Sequence, residues 1–159
     1  MPTIHLAFGP QWTLEATAPW SVSAGESGPL VMEWTGAPSG QGAFARAQYS
    51  APVFNAPVRR LVRLRIECVA PFAHSGESPR AHCQVLTDGT VAWSEWISTD
   101  GGQSGYHEAE FSTPGGGHIL VELRVEDTDG TAGPMRVEWS QLRLELPGFG
   151  EEPEPWPPQ

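Results

Sequence analysis

Among the side chains that could act on a ligand, the aromatic ones dominate, with seven tryptophans and two tyrosines in 159 residues. An indole or phenol ring packs on the apolar C–H face of a pyranose, and the same rings anchor protein–protein contacts. Trp139 shares the parity of Met135 and Val137, and Trp93 reads the same way, so both are expected in a core. Trp96 lies three residues beyond Trp93 and faces the other way on a regular strand, which makes Trp96, with Tyr106, the candidate ligand platform. Trp12, Trp20 and Trp34 are expected to cap the ends of the core.

No catalytic set assembles from the remaining groups. Gly102-Gln103-Ser104-Gly105 lacks the second spacer of a nucleophile elbow. In His107-Glu108-Ala109-Glu110 the second histidine of a zinc pair is missing, and strand geometry would split His107 and Glu108 between two faces. The five histidines are scattered and Cys68 and Cys83 have no metal-ligand spacing. Asp127-Thr128-Asp129-Gly130 opens like a calcium loop, but the rest of that loop is missing and a hairpin turn is expected. The expectation is a protein that is not an enzyme and carries no cofactor or metal. Cys68 and Cys83 both fall on the inward parity of neighbouring strands, with the hairpin between them expected near Ser75-Gly76, and the sequence leaves open a disulfide or two buried thiols.

Charge narrows the partners. All nine basic residues are arginine, against 15 Glu and 4 Asp, for a net charge of -10. That balance argues against nucleic acid and anionic membranes as partners, and no apolar run is long enough for membrane insertion as a helix. The charge is also segregated: residues 46–80 carry a local +4 and residues 81–159 a local -11. Arg63 and Arg65 are therefore candidate interface residues between copies of one subunit, with intramolecular cross-strand pairing as the equal alternative. Residues 147–159, PGFGEEPEPWPPQ, form a Pro/Glu-rich tail that is expected to be extended, and Phe149 and Trp156 are its candidate anchors on a partner.

The elements that must position these groups are strands. Gly 18 and Pro 16 interrupt almost every ten-residue window, and no apolar pattern at helical spacing survives. Alternation is strongest over 60–69, where Val62, Leu64, Ile66 and Cys68 oppose Arg63, Arg65 and Glu67, and over 118–126. In 135–146 the apolar parity changes at Ser140-Gln141, which predicts a bulge or a change of sheet. Weaker strands are expected at 3–8, 12–16, 30–34, 43–49, 81–87, 90–97 and 106–112, giving about ten. So many half-apolar strands predict an all-β, antiparallel two-sheet jelly-roll sandwich over residues 1–146, irregular in 1–42, followed by the tail.

The run from Arg60 to Leu146 resembles the galactose-binding-like jelly rolls in layout. A long central strand (LVRLRIECVA) is followed by RAHCQVLTDG, an aromatic strand (VAWSEW), EAEF, a long penultimate strand (HILVELRVED) and a closing strand (MRVEWSQLRLEL). The resemblance implies a class shared by carbohydrate-binding modules and accessory domains of phage particles, in which sugars bind at aromatic platforms. Two functions follow as expectations. The first is a structural subunit, a decoration, head or tail accessory protein of a phage-like particle, partnered by its own copies as a homo-oligomer or by capsid or tail protein. The second is a carbohydrate-binding module with glycans as partners. The opening MPTIHLAFGPQW has no leader-like pattern, so a virion or cytoplasmic assembly is the expected setting.

Overall fold

The computed structural model describes residues 3–17, 20–25, 28–34, 43–52, 60–70, 80–98, 105–113, 118–129, 135–146 and 156. Eleven strands are present: β1 (Thr3–Leu6), β2 (Thr13–Ala16), β3 (Trp20–Ala24), β4 (Leu30–Trp34), β5 (Phe44–Pro52), β6 (Arg60–Val69), β7 (Arg80–Thr87), β8 (Thr90–Ser98), β9 (Gly105–Thr113), β10 (His118–Asp129) and β11 (Met135–Glu145). They form two antiparallel sheets. One runs β3-β4-β11-β6-β9 with β1 also paired to β11, and the other runs β2-β5-β10-β7-β8.

Alternation places the core between them. Val62, Leu64, Ile66 and Cys68 of β6 line the interior from one sheet and Ile119, Val121, Leu123 and Val125 of β10 from the other, all essentially inaccessible. Trp139 fills the centre of this layer and its Nε1 donates to Met32 Sδ at 3.3 Å, so the one polar atom of the ring is satisfied. Trp93 meets Trp139 edge-on at 6.1 Å, and Trp20 meets Trp34 in the same manner at 5.4 Å. Trp12 caps the core against Phe8 and Tyr49.

Several expectations are corrected. Of the four strands within residues 1–42, those expected at 3–8, 12–16 and 30–34 are present, and β3 was missed because WSVSA sets small serines against only Trp20 and Val22. Strands β6 and β7 are not hairpin partners; each belongs to a different sheet. Nor is Asp127-Thr128-Asp129-Gly130 a hairpin turn, since β10 continues to Asp129 and pairs with β7 there, while β11 lies in the other sheet. Long ladders on β10 extract more backbone pairing from that segment than a local turn would. The Asp88-Gly89 turn does join sheet neighbours β7 and β8, with both residues at positive φ (48° and 83°), as a two-residue hairpin twist demands.

At Ser140-Gln141 the chain takes the bulge and stays in its sheet. The β11 register against β6 shifts between Ser140 and Arg143, and Gln141 has φ 55°. The bulge returns Leu142 and Leu144 to the interior and turns Arg143 and Glu145 outward. Although it is on the outer face, Glu145 is completely inaccessible. It stands between Arg65, whose Nη1 donates to it at 3.4 Å, and Arg63, 3.8 Å away. Arg65 is itself 4% exposed and also donates to Glu108 of β9 at 3.3 Å, while Arg63 pairs with Glu110 at 3.8 Å. The cluster thus ties β11, β6 and β9 together. Removing Glu145 leaves two guanidinium groups without their shared counter-charge, so Glu145→Ala is expected to destabilise the fold by about 3 kcal/mol in urea denaturation, more than an exposed pair's loss.

Candidate functional site

The outer face of the five-stranded sheet gathers a ladder of polar and aromatic side chains. Registers across β2, β5, β10, β7 and β8 align them in rows. One row runs Phe44, Glu126, His82, Trp96; the next runs Glu15, Arg46, Arg124, Gln84, Ser94; a third runs Thr13, Gln48, Glu122, Leu86, Val91. Each row is dictated by alternation, since the inward neighbours of these residues are the core Ala, Val, Leu and Cys positions. On β8 the register shifts between Trp93 and Val91, and the strand then presents Trp93 and Ile97 inward and Trp96 outward.

Trp96 is 38% exposed and stacks on His82 with centroids 5.1 Å apart and planes 17° from parallel. His82 Nδ1 is 3.8 Å from Glu126, whose other oxygen accepts from Arg124 Nε at 2.9 Å. Arg124 also pairs with Glu122 at 3.6 Å, and Glu122 accepts from Gln48 at 2.6 Å. Phe44 lies under two guanidinium groups, Arg124 at 4.5 Å and Arg46 at 5.5 Å, and Arg46 is held by Glu15. The side chains of Gln84 and Ser94 have no hydrogen-bond partner among the described residues. The result is a flat aromatic edge beside fixed donors and acceptors, with both Arg46 and Arg124 paired to carboxylates.

Tyr106 is 40% exposed but stands on β9, on the outer face of the other sheet, so it does not share a platform with Trp96. It is opposite Glu67, and its hydrogen bond to that carboxylate is the main reason its phenol titrates above the ordinary tyrosine value. Glu67 also accepts from Ser140 Oγ. Trp156 packs edge-on against Tyr106 at 5.1 Å and lies over Arg143 at 5.3 Å and Arg65 at 5.6 Å. Within this chain, then, Trp156, Arg63 and Arg65 are engaged with the sandwich itself, and Phe149 lies outside the described residues.

Sequence reasoning picked Trp96 but missed His82, Gln84, Arg124, Glu126 and Phe44, which the cross-strand register brings beside it. The available signal was parity: all five are outward positions, Arg124 and Glu126 on a strand of clear alternation and Phe44, His82 and Gln84 on weaker ones. His107 and Glu108 do split between faces, with His107 against Trp93 at 4.8 Å and Glu108 on Arg65. Among the described residues no group of three or more His, Cys, Asp or Glu could hold a metal ion. A cavity of about 410 Å³ opens near the β7–β8 turn, lined by Asp88, Val91, Glu110 and Phe111 among others. Its carboxylates are already used, Asp88 by the Leu120 N–H at 2.9 Å and Glu110 by Arg63. A second cavity, of about 310 Å³, lies at the Gln141 bulge beside His5 and Pro29.

Two antiparallel sheets packed face to face define the class: the fold is a jelly-roll β-sandwich. The K1 cleaved adhesin domain of Lys-gingipain from Porphyromonas gingivalis W83 has this fold at 10% identity, with a TM-score of 0.51 over 93% of this chain and all of that domain. The C-terminal family 6 carbohydrate-binding module of a marine laminarinase from Zobellia galactanivorans aligns at 10% identity and a TM-score of 0.48 over 90% of this chain and 98% of that one. Tailspike protein 4 of bacteriophage CBA120 aligns at 15% identity and 0.44, over 86% of this chain and 19% of that one. No family model matches the chain, and no curated protein matches it.

The Trp156 contacts carry their own expectation. One edge-on aromatic pair and two cation–π contacts predict that Trp156→Ala costs about 1 to 2 kcal/mol in chemical denaturation. In a spectrophotometric titration, Glu67→Gln should bring the late-titrating phenol back toward the ordinary tyrosine value, and Tyr106→Phe should remove that component altogether.

Proposed function

We propose that this chain is a non-catalytic module that binds an uncharged glycan on the outer face of the five-stranded sheet. The observation that carries the reading is the stacked Trp96–His82 pair flanked in register by Gln84, Ser94, Arg124 and Glu126. A pyranose offers one apolar face and a rim of hydroxyls; the exposed indole suits the former, and the amide, hydroxyl, guanidinium and carboxylate suit the latter. Because Arg124 is already neutralised by Glu122 and Glu126, and the whole chain is acidic, the surface favours neutral sugars over uronates or sulfated chains. An assembly role in a phage-like particle is the second reading. It is weaker because Arg63 and Arg65 are held by Glu108, Glu110 and Glu145 of the same chain, and Trp156 rests on Tyr106.

The test is tryptophan fluorescence during titration with a panel of neutral oligosaccharides. Binding should change the emission, and Trp96→Ala should weaken it at least tenfold, about 1.4 kcal/mol or more, while Tyr106→Ala on the opposite face leaves affinity unchanged. A panel without response, or undiminished binding by the Trp96 variant, overturns the reading. A native mass of several chains that falls to one chain when residues 147–159 are removed would favour assembly instead.

A further inference from the structure

The chain contains two cysteines, and the fold brings both to one place in the core. Cys68 projects inward from β6, level with Trp139 of β11 and Gly105 of β9. From the other sheet Cys83 projects inward from β7, level with Val125 of β10 and Glu95 of β8. Both are fully inaccessible and both are free thiols in this structure. The edge strands β8 and β9 touch and Trp93 meets Trp139 between the layers, which sets β6 over β7 and brings Cys83 near enough to help raise the Cys68 thiol. The Cys83 thiol also reaches the Ala81 carbonyl oxygen at 3.7 Å. Among the described residues the strand ladders run within each sheet, so no ladder ties β6 to β7 where the two thiols stand. A covalent tie between facing sheets is a device known from other sandwiches.

We propose that Cys68 and Cys83 form an inter-sheet disulfide when the chain folds in the presence of a small disulfide oxidant such as oxidised glutathione. One protein thiolate attacks the oxidant and expels one glutathione thiolate; the second protein thiolate attacks the resulting mixed disulfide and expels the other. Two protein thiols give up two electrons and two protons, and the oxidant leaves as two thiols. In the folded protein, burial pushes the Cys68 thiol up and keeps it protonated, a poor nucleophile that no oxidant reaches. The bond therefore forms while the sheets are still closing, and afterwards the same burial shields it from reductants.

The full-length wild-type chain is refolded from denaturant in parallel, with a glutathione redox mixture or with excess reductant, then alkylated under denaturing conditions and weighed intact. The oxidised arm should be monomeric, unalkylated and lighter by two hydrogen atoms before alkylation, and should melt about 5 to 10 °C above the reduced arm. Its bond should resist reductant until denaturant is added. Two alkyl groups per folded chain after oxidative refolding, or bonding only between chains, overturns the proposal. So does a Cys83→Ala variant whose melting temperature still rises in the glutathione arm, because the gain would then come from elsewhere.

Discussion

Like charges directly opposite one another on neighbouring strands repel, and this sandwich places such a pair on each outer face. Arg65 opposes Arg143 on the six-stranded sheet, and Arg46 opposes Arg124 on the five-stranded sheet. Both conflicts are resolved in the same way, by an aromatic ring shared between the two guanidinium groups and by carboxylates at their flanks. Trp156 serves the first pair, with Glu145 and Glu108 beside it. Phe44 serves the second, with Glu15, Glu122 and Glu126. Much of the surface architecture, including a buried Glu145 that would otherwise be very costly, follows from neutralising these pairs.

That shared solution draws its aromatic ring from a different part of the chain on each face. On the six-stranded sheet the ring comes from Trp156, ten residues beyond the last core position at Leu146, so this face is partly covered by the chain itself. On the five-stranded sheet the ring comes from Phe44, a strand residue within the ladder, in the same cross-strand row as Trp96, which is 38% exposed. The proposed glycan reading rests on the Trp96 indole, which stands on β8 with polar neighbours held on the adjacent strands. Rigid strands also hold donors and acceptors at fixed spacing, which keeps the entropic cost of binding low.

Much of the architecture was legible because a half-buried strand writes its two faces into alternate residues. Parity alone placed Val62 to Cys68 and Ile119 to Val125 inside, separated Trp93 from Trp96, and located the bulge at Ser140-Gln141. Where the apolar signal was thin it failed, as with Trp20–Ala24, and where a turn motif looked stronger than the ladder around it, as at Asp127 to Gly130. The candidate site was legible only as one residue, Trp96.

The sequence by itself determined the all-β class, the inward and outward faces of most strands and the acidic, arginine-only charge. Tertiary structure decided which strands are neighbours, because pairing is non-local: His82 meets Trp96 in a hairpin, but Glu126 and Phe44 join them from segments far away along the chain. It also decided that Trp96 and Tyr106 belong to different surfaces and that Cys68 and Cys83 face each other. Alternation fixes which side of a strand a residue occupies, whereas partners across a sheet or across the core follow from how the layers stack, and no local period encodes that.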